Sequence, residues 1–470
     1  MMKGTKYFKL FDTESNYETY IGGDEVYLPN VSLTLDDDAV HYNPKNPAND
    51  YLTFEVLSNG NICQGFGGGG GDEPMRAKGV TNDGDLILGA GNEEAYIEYS
   101  TDNGETWQEM PSSLSVTSGD IILLRGNVTL REFIEGGGDE PIKAKNVLKS
   151  RNSSGPFSFA GTSCAFNLRG NIMSIVGGEN FRGLASMADA TFEGLFRSLE
   201  VIDASKLVLP ATTLSEYCYG DMFSDCYAMT KAPAILPAMT LADSCYIGMF
   251  SRCENLTATP TLPATILAPL CYSYMFAYCT NLTQVSSLPA TTLADSCYSN
   301  MFAECSSLTV APALPATSLA NNCYIQMFAG SGLITAPELP ATELAYECYA
   351  FMFSSCNNLT TPMATLPATT LESSCYYQMF IGCTKLTKAP EIMATSLTNG
   401  GGGMGDCSGM FAYCTSLSYV KCLATSVRAE CCNNWLGGVA QNGTFVKSSG
   451  MSSWPSGASG IPSGWTVERA

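Results

Sequence analysis

Histidine is almost missing from this chain: His41 is the only one among 470 residues. With a single imidazole, a mixed Cys/His zinc site cannot form inside the cysteine-rich part, which begins at Cys218. His41 stands in a β-rich stretch with no evident triad partner and reads as a surface or satisfied histidine. Charge is scarce as well, at 15% of residues, and basic charge scarcest: 24 Lys and Arg against 45 Asp and Glu leave a net −21. That balance argues against nucleic acid or an anionic membrane as partner. No apolar run approaches the roughly 18 residues needed to cross a bilayer, so no membrane insertion is expected. The opening MMKGTKYFKLFDTE has basic residues but no apolar h-region, which predicts no secretory leader. Low charge combined with 45% apolar residues marks a folded chain rather than an acidic disordered one.

What the chain has in abundance is repetition. Leu288–Val310, LPATTLADSCYSNMFAECSSLTV, recurs with small changes from Leu209 to Ala424. The Leu-Pro-Ala triplets begin at Leu209, Leu236, Leu262, Leu288, Leu314, Leu339 and Leu366, with weaker forms at Ile392 and Cys422. The steps are 25–27 residues until the last, which is 30 because Gly400–Gly403 is inserted. A period in this range predicts a solenoid of about eight or nine units, each burying its apolar face on the next.

Cysteine follows the repeat. Eighteen of the 20 cysteines lie within Cys218–Cys432, mostly at two positions eight apart, as in Cys297 and Cys305. If that stretch is helical, eight residues span about 12 Å, beyond the roughly 7 Å Cα limit of a disulfide. The cysteines are therefore expected to be free and to pack as small hydrophobes. Leu293, Cys297, Met301 and Cys305 at i, i+4, i+8 and i+12 suggest a helix-like apolar face. Leu308-Thr309-Val310 then reads as a short strand ended by Pro312, and Leu-Pro-Ala as an extended return. The expected fold class is thus an α/β solenoid preceded by small all-β domains.

In chain order, residues 1–60 read as a β region, a possible attachment segment. Residues 61–146 read as a small β-sandwich-like domain. Its hairpin turns at Asn103-Gly104 and its strand at Asp120–Arg125 is buried. Two Gly-rich Asp-Glu-Pro loops, at Gly67–Pro74 and Gly136–Pro141, lack both EF-hand spacing and the features of a phosphate cradle, and read as exposed loops. Residues 147–208 hold an N-terminal cap and a first atypical repeat, in which Leu195-Phe196 echoes the later Met-Phe pairs. The stack occupies 209–432. There Cys407-Ser408 is read in place of Cys-Tyr, and Cys431-Cys432 as lacking a Met-Phe partner. Residues 433–470 form a C-terminal cap over the open end, with Trp454 and Trp465 as packing residues rather than ligand platforms.

The unit Cys-Tyr-x-x-Met-Phe-x-x-Cys-x-x-Leu-Thr followed by Leu-Pro-Ala-Thr-Thr-Leu resembles the bacterial-surface leucine-rich repeats of BspA type. The form is similar to that of repeat proteins of gut Bacteroidales and their phages. The segments Tyr99–Trp107, Gly170–Met173 and Gly460–Val467 are similar to the same group. The resemblance implies an adhesin, surface protein or virion component, and brings no catalytic residues.

No general base, nucleophile or marked carboxylate pair is evident, so the chain is expected not to be an enzyme and to use no cofactor and no metal. The leading expectation is a phage tail or capsid appendage. It would attach to other virion proteins through its N-terminal region and recognise a host cell-surface glycan or protein through the repeats. A bacterial cell-surface adhesin is the alternative, and oligomeric state is left open. Contact residues are expected at the two varied positions between Cys-Tyr and Met-Phe. Stacking would line up Ile247, Tyr274, Asn300, Ile325, Phe351 and Tyr377 there. Threonines after Leu-Pro-Ala, such as Thr291 and Thr317, suggest a further ladder like that of ice-binding solenoids, although hydroxyls at such turns more often bond local backbone.

Overall fold

The computed structural model describes residues 51–66, 96–127, 157–177, 181–182, 184–187, 189–398 and 405–470. His41, nearly all of the expected attachment segment and both Gly-rich Asp-Glu-Pro loops lie outside the described residues. The first strands are β1 (Leu52–Val56), β2 (Gly60–Cys63), β3 (Gly65–Phe66), β4 (Tyr96–Ser100) and β5 (Gln108–Glu109). They are followed by β6 (Ser113–Val116), β7 (Ile121–Asn127), β8 (Phe157–Ser158), β9 (Phe166–Asn171) and β10 (Lys206–Val208). Six of them form one sheet in the order β10-β9-β1-β7-β4-β5, and β2–β6 and β3–β8 are two-stranded flanks. Asn103 and Gly104, with positive φ of 61° and 86°, turn the chain within the loop that joins the paired residues Tyr99 of β4 and Gln108 of β5.

The sheet is continuous with the repeats. In β1, Phe54 pairs with Ile122 of β7 and Leu168 of β9. Its ring lies 4.5 Å from Phe166 and 6.1 Å from Phe196, which belongs to the first repeat. Among the described residues, the sheet's core partner is therefore the repeat stack rather than a second facing sheet. Its strands run across the sequence boundaries drawn at 60 and 146, because one core serves both regions.

Two ring columns run through the stack. One begins at Phe159 and Phe196 and reaches Phe411 through Phe302, with centroids 5.3–5.9 Å apart. The other begins at Phe192 and runs from Tyr219 to Tyr376 at 5.6–6.1 Å. Between units the return segments meet in parallel, often through single residues, as at Val310↔Thr335 and Ile266↔Thr292. Prolines near each bridge remove the donors that would lengthen it.

The segment expected to be helical is not a helix. From Cys297 to Cys305 it is a run of turns in which backbone N–H groups alternate between two kinds of acceptor. Tyr298, Asn300, Phe302 and Glu304 donate to carbonyls of the next unit at 2.7–3.0 Å. Ser299, Met301, Ala303 and Cys305 donate to the carbonyl three residues back in their own unit at 3.1–3.4 Å. The chain reverses every four residues, and each reversal places one residue in the left-handed region: Ser296, Asn300 and Glu304, with φ of 54°, 55° and 61°. Left-handed backbone costs roughly 1–2 kcal/mol per non-glycine residue. Burial of Tyr298, Met301 and Phe302 offsets it at about 1.5–3 kcal/mol per large side chain.

The C-terminal strands are β11 (Thr365–Leu366), β12 (Glu391–Ile392), β13 (Ser396–Leu397), β14 (Tyr419–Cys422), β15 (Ser426–Val427), β16 (Thr444–Lys447) and β17 (Thr466–Arg469). β11-β12-β14-β16-β17 is a parallel sheet, and β13 pairs β15. The tail thus prolongs the stack by two rungs, β16 and β17. Tryptophan takes over the core there: Trp435 stacks on Trp454 at 5.5 Å and donates its Nε1–H to Gly460 O at 2.9 Å. Trp465 donates in the same way to Ala440 O.

The backbone ladder also corrects the reading of the last repeats. Tyr376 N donates to Asp406 O, so Asp406-Cys407 stands where other units have Cys-Tyr, one residue earlier than expected. Cys407 N donates to Cys431 O and Phe411 N to Trp435 O. Trp435-Leu436 therefore fills the Met-Phe place of the unit begun by Cys431-Cys432.

Candidate functional site

All the cysteines but Cys63 belong to the core and are shielded from surface chemistry. Nineteen of the 20 are buried, all are free, and only Cys63 is half-buried. Burial pushes the thiols of Cys245, Cys297 and Cys348 up to about 12, so they stay protonated at neutral pH and are unsuited as nucleophiles or metal ligands. The second cysteine of a unit has a further task. Cys226, Cys253, Cys305, Cys356 and Cys383 each donate Sγ–H to the phenylalanine carbonyl of the preceding unit at 3.0–3.1 Å. That carbonyl already accepts the N–H of the residue three positions on in its own unit, as in Cys226 N to Phe223 O, so both lone pairs are used. Ser331 occupies this place in one unit and is likewise buried.

The left-handed positions carry the variation. One column reads Asp221, Gly248, Tyr274, Asn300, Gln326, Phe351 and Gln378. The next reads Asp225, Arg252, Tyr278, Glu304, Gly330, Ser355 and Gly382. Side chains in and beside the columns touch along the stack. Phe351 meets Tyr377 edge-on at 5.1 Å, and the Tyr377 hydroxyl accepts from Gln378 Nε2 at 3.0 Å. Arg252 lies over the Tyr278 ring at 5.0 Å.

The six residues expected to make contacts do not form one patch. Phe351 and Tyr377 are together and half-buried, whereas Tyr274 stands three units away and is 45% exposed. Ile247 and Ile325 are half-buried at the position beside the column. Asn300 is buried and donates its Nδ2 to Ser299 Oγ at 2.9 Å, so it holds the turn rather than facing outward.

The contact list also missed a charged cluster near the start of the stack. Arg197 lies 3.5 Å from Asp221 and 3.4 Å from Asp225, and Arg252 lies 3.8 Å from Asp225. Burial pushes the Asp221 carboxyl up, more than the Arg197 guanidinium pulls it down. The cluster surrounds a depression of about 330 Å³ that opens at Gly248 and is also lined by Tyr217, Ile247 and Tyr274. Asp225 and Arg252 occupy the same repeat position in adjacent units, which was the signal available in the sequence.

No family model matches the chain, and no curated protein matches it. Among solved structures, the chain is similar to a leucine-rich cell surface protein from Faecalibacterium prausnitzii A2-165. The identity is 13% and the TM-score 0.28, over 85% of this chain and 96% of that one. At that level neither the fold nor the location of the other protein transfers, and the repeat architecture rests on the ring columns and parallel bridges themselves.

Proposed function

We propose that this chain is a non-catalytic recognition protein. In this reading a solenoid of leucine-rich type, of about eight or nine units, offers its turn columns to a partner at a cell surface. The contrast between core and columns carries the reading. Core positions scarcely change between units, while the left-handed column changes at almost every step, from Asp221 through Gly248 and Tyr274 to Phe351. Glycine would satisfy every left-handed position at lower backbone cost. Keeping tyrosine, phenylalanine, arginine and glutamine there opposes folding, so their retention points to a use outside the fold.

The partner would be a glycan or a protein, since exposed aromatic side chains suit either. A bacterial cell surface is the first setting to test. A phage particle is the second, and it rests on the resemblance of the repeat sequence alone. Changing Tyr274, Phe351 and Tyr377 together to alanine is expected to weaken binding of the purified protein to target cells by roughly tenfold or more. Circular dichroism and Tm should stay near those of the unaltered protein. Unchanged cell binding by the folded triple variant would overturn the proposal. Recovery of native protein from outer-membrane fractions or from virions separates the two settings.

A further inference from the structure

We infer that the depression at Gly248 is a binding site for a neutral glycan. The inference rests on the recognition reading above and gives it a ligand class and a place. Its origin lies in the column itself. Asp221 precedes and Tyr274 follows Gly248, and where later units fill the position with Asn300, Gln326 or Phe351, this unit has no side chain. Gly248 is left-handed, with φ of 59°, and a Cβ built there would meet Asp221 Oδ1 at 2.3 Å. The Asp221 carboxylate fills the space a side chain at 248 would take, and beside the two lies a depression of about 330 Å³, at the small end of the range for ligand pockets and suited to a short oligosaccharide.

The lining has the chemistry a sugar needs. Arg197 and Arg252 are fixed by Asp221 and Asp225, so donors and acceptors alternate around the rim in set orientations. A guanidinium has five N–H donors, and each of these ion pairs engages only some of them, leaving others for hydroxyl groups. Tyr274 supplies a half-exposed aromatic ring at one wall, a surface for the apolar C–H face of a pyranose. Two guanidiniums face the three carboxylates of Glu193, Asp221 and Asp225, so the lining does not favour an anionic ligand. Asp221 and Asp225 are already engaged by Arg197 and Arg252, so the site favours an uncharged polyhydroxylated ligand over a lysine-bearing peptide.

The test uses the full chain against three sets of probes. These are neutral pyranose oligosaccharides, the same sugars bearing sialic acid, and lysine-containing peptides. The unaltered protein is expected to bind members of the neutral set preferentially. Arg197→Gln removes a guanidinium that lines the depression and keeps a side chain of similar reach. It and Tyr274→Ala should each lower neutral-glycan affinity at least tenfold at unchanged Tm, while Thr317→Ala on the return segment should not. Preference for the sialylated set or the peptides would overturn the assignment. So would neutral-glycan binding that survives Arg197→Gln in a folded protein. If the chain binds cells but no neutral glycan, the glycan site falls and the recognition reading stands; if it binds neither, both fall.

Discussion

Each unit has two halves that solve backbone hydrogen bonding in opposite ways. In the turn half, from Cys297 to Cys305, every N–H has a carbonyl, alternately in its own unit and in the next. A cysteine thiol even supplies a second donor to the phenylalanine carbonyl. In the return half, prolines remove donors and neighbouring units meet through single bridges such as Val310↔Thr335. Thr291 and Thr292 N–H groups share the Thr265 carbonyl, and their side chains are exposed. Cohesion between units is therefore concentrated in the turns, where the rings also stack. The returns close each unit and orient it, and can vary at lower cost.

Alkaline pH should break the turn half most severely, since nearly all the cysteines lie there. Burial holds Cys226, Cys245 and Cys297 up to about 12, while a thiol in the unfolded chain ionises near ~8.5. Well below that value both states keep the proton and pH has no effect. Between about 8.5 and 12 only the unfolded state releases it, so stability falls as pH rises, by up to ~1.4 kcal/mol per pH unit for each thiol. The guanidinium midpoint should hold steady from pH 6 to 7, begin to fall by pH 8 and drop sharply by pH 10; a flat profile to pH 10.5 would contradict thiol burial. In line with this, a thiol reagent at pH 7.5 should label Cys63 in the native protein and all 20 cysteines in denaturant.

Single substitutions test the same contrast on a smaller scale. Phe302→Ala opens a gap between Phe276 and Phe328, and should cost about 3–5 kcal/mol in chemical denaturation. Thr291→Ala, on the exposed return, should change stability by no more than about 0.5 kcal/mol. A similar cost at both positions would show that the return contributes as much cohesion as the turns.

The period, the buried cysteines and the identity of the core residues were legible because every unit repeats the same burial. The helix was misread from evidence that already argued against it. At about 100° per residue, a helix carries residue i+12 some 120° away from residue i, so the strict spacing of Leu293, Cys297, Met301 and Cys305 drifts around a helix and lacks its i+3 and i+7 members. A strict spacing of four fits a chain that reverses every four residues. Which varied residues would face solvent was not legible, because the position beside the left-handed residue turns partly inward and Asn300 bonds to its own turn. The expected aromatic column separated for a related reason: Asn300 and Gln326 stand between Tyr274 and Phe351. The Trp435 rung escaped notice because tryptophan and leucine replace methionine and phenylalanine there, and only the backbone ladder reveals the equivalence.

Backbone handedness provides the finest test of the two halves. Glu304 has φ of 61°, and the next unit places Gly330 at the same position, against the Glu304 carboxylate. Glycine at 304 removes the left-handed penalty but gives the unfolded chain more freedom to lose, so Glu304→Gly should be neutral to stabilising by up to about 1 kcal/mol. Valine is β-branched and resists positive φ, so Glu304→Val should destabilise by roughly 1–2 kcal/mol. Thr317, on the return, is not left-handed, and the order there should reverse. Thr317→Gly should cost about 0.5–1 kcal/mol through lost chain entropy, while Thr317→Val, which keeps a β-branched side chain of the same shape, should be close to neutral. The sign of the glycine-minus-valine difference at each position is the readout. If glycine were worse than valine at 304, that residue would not be left-handed in solution, and the four-residue reversal would have to be redrawn.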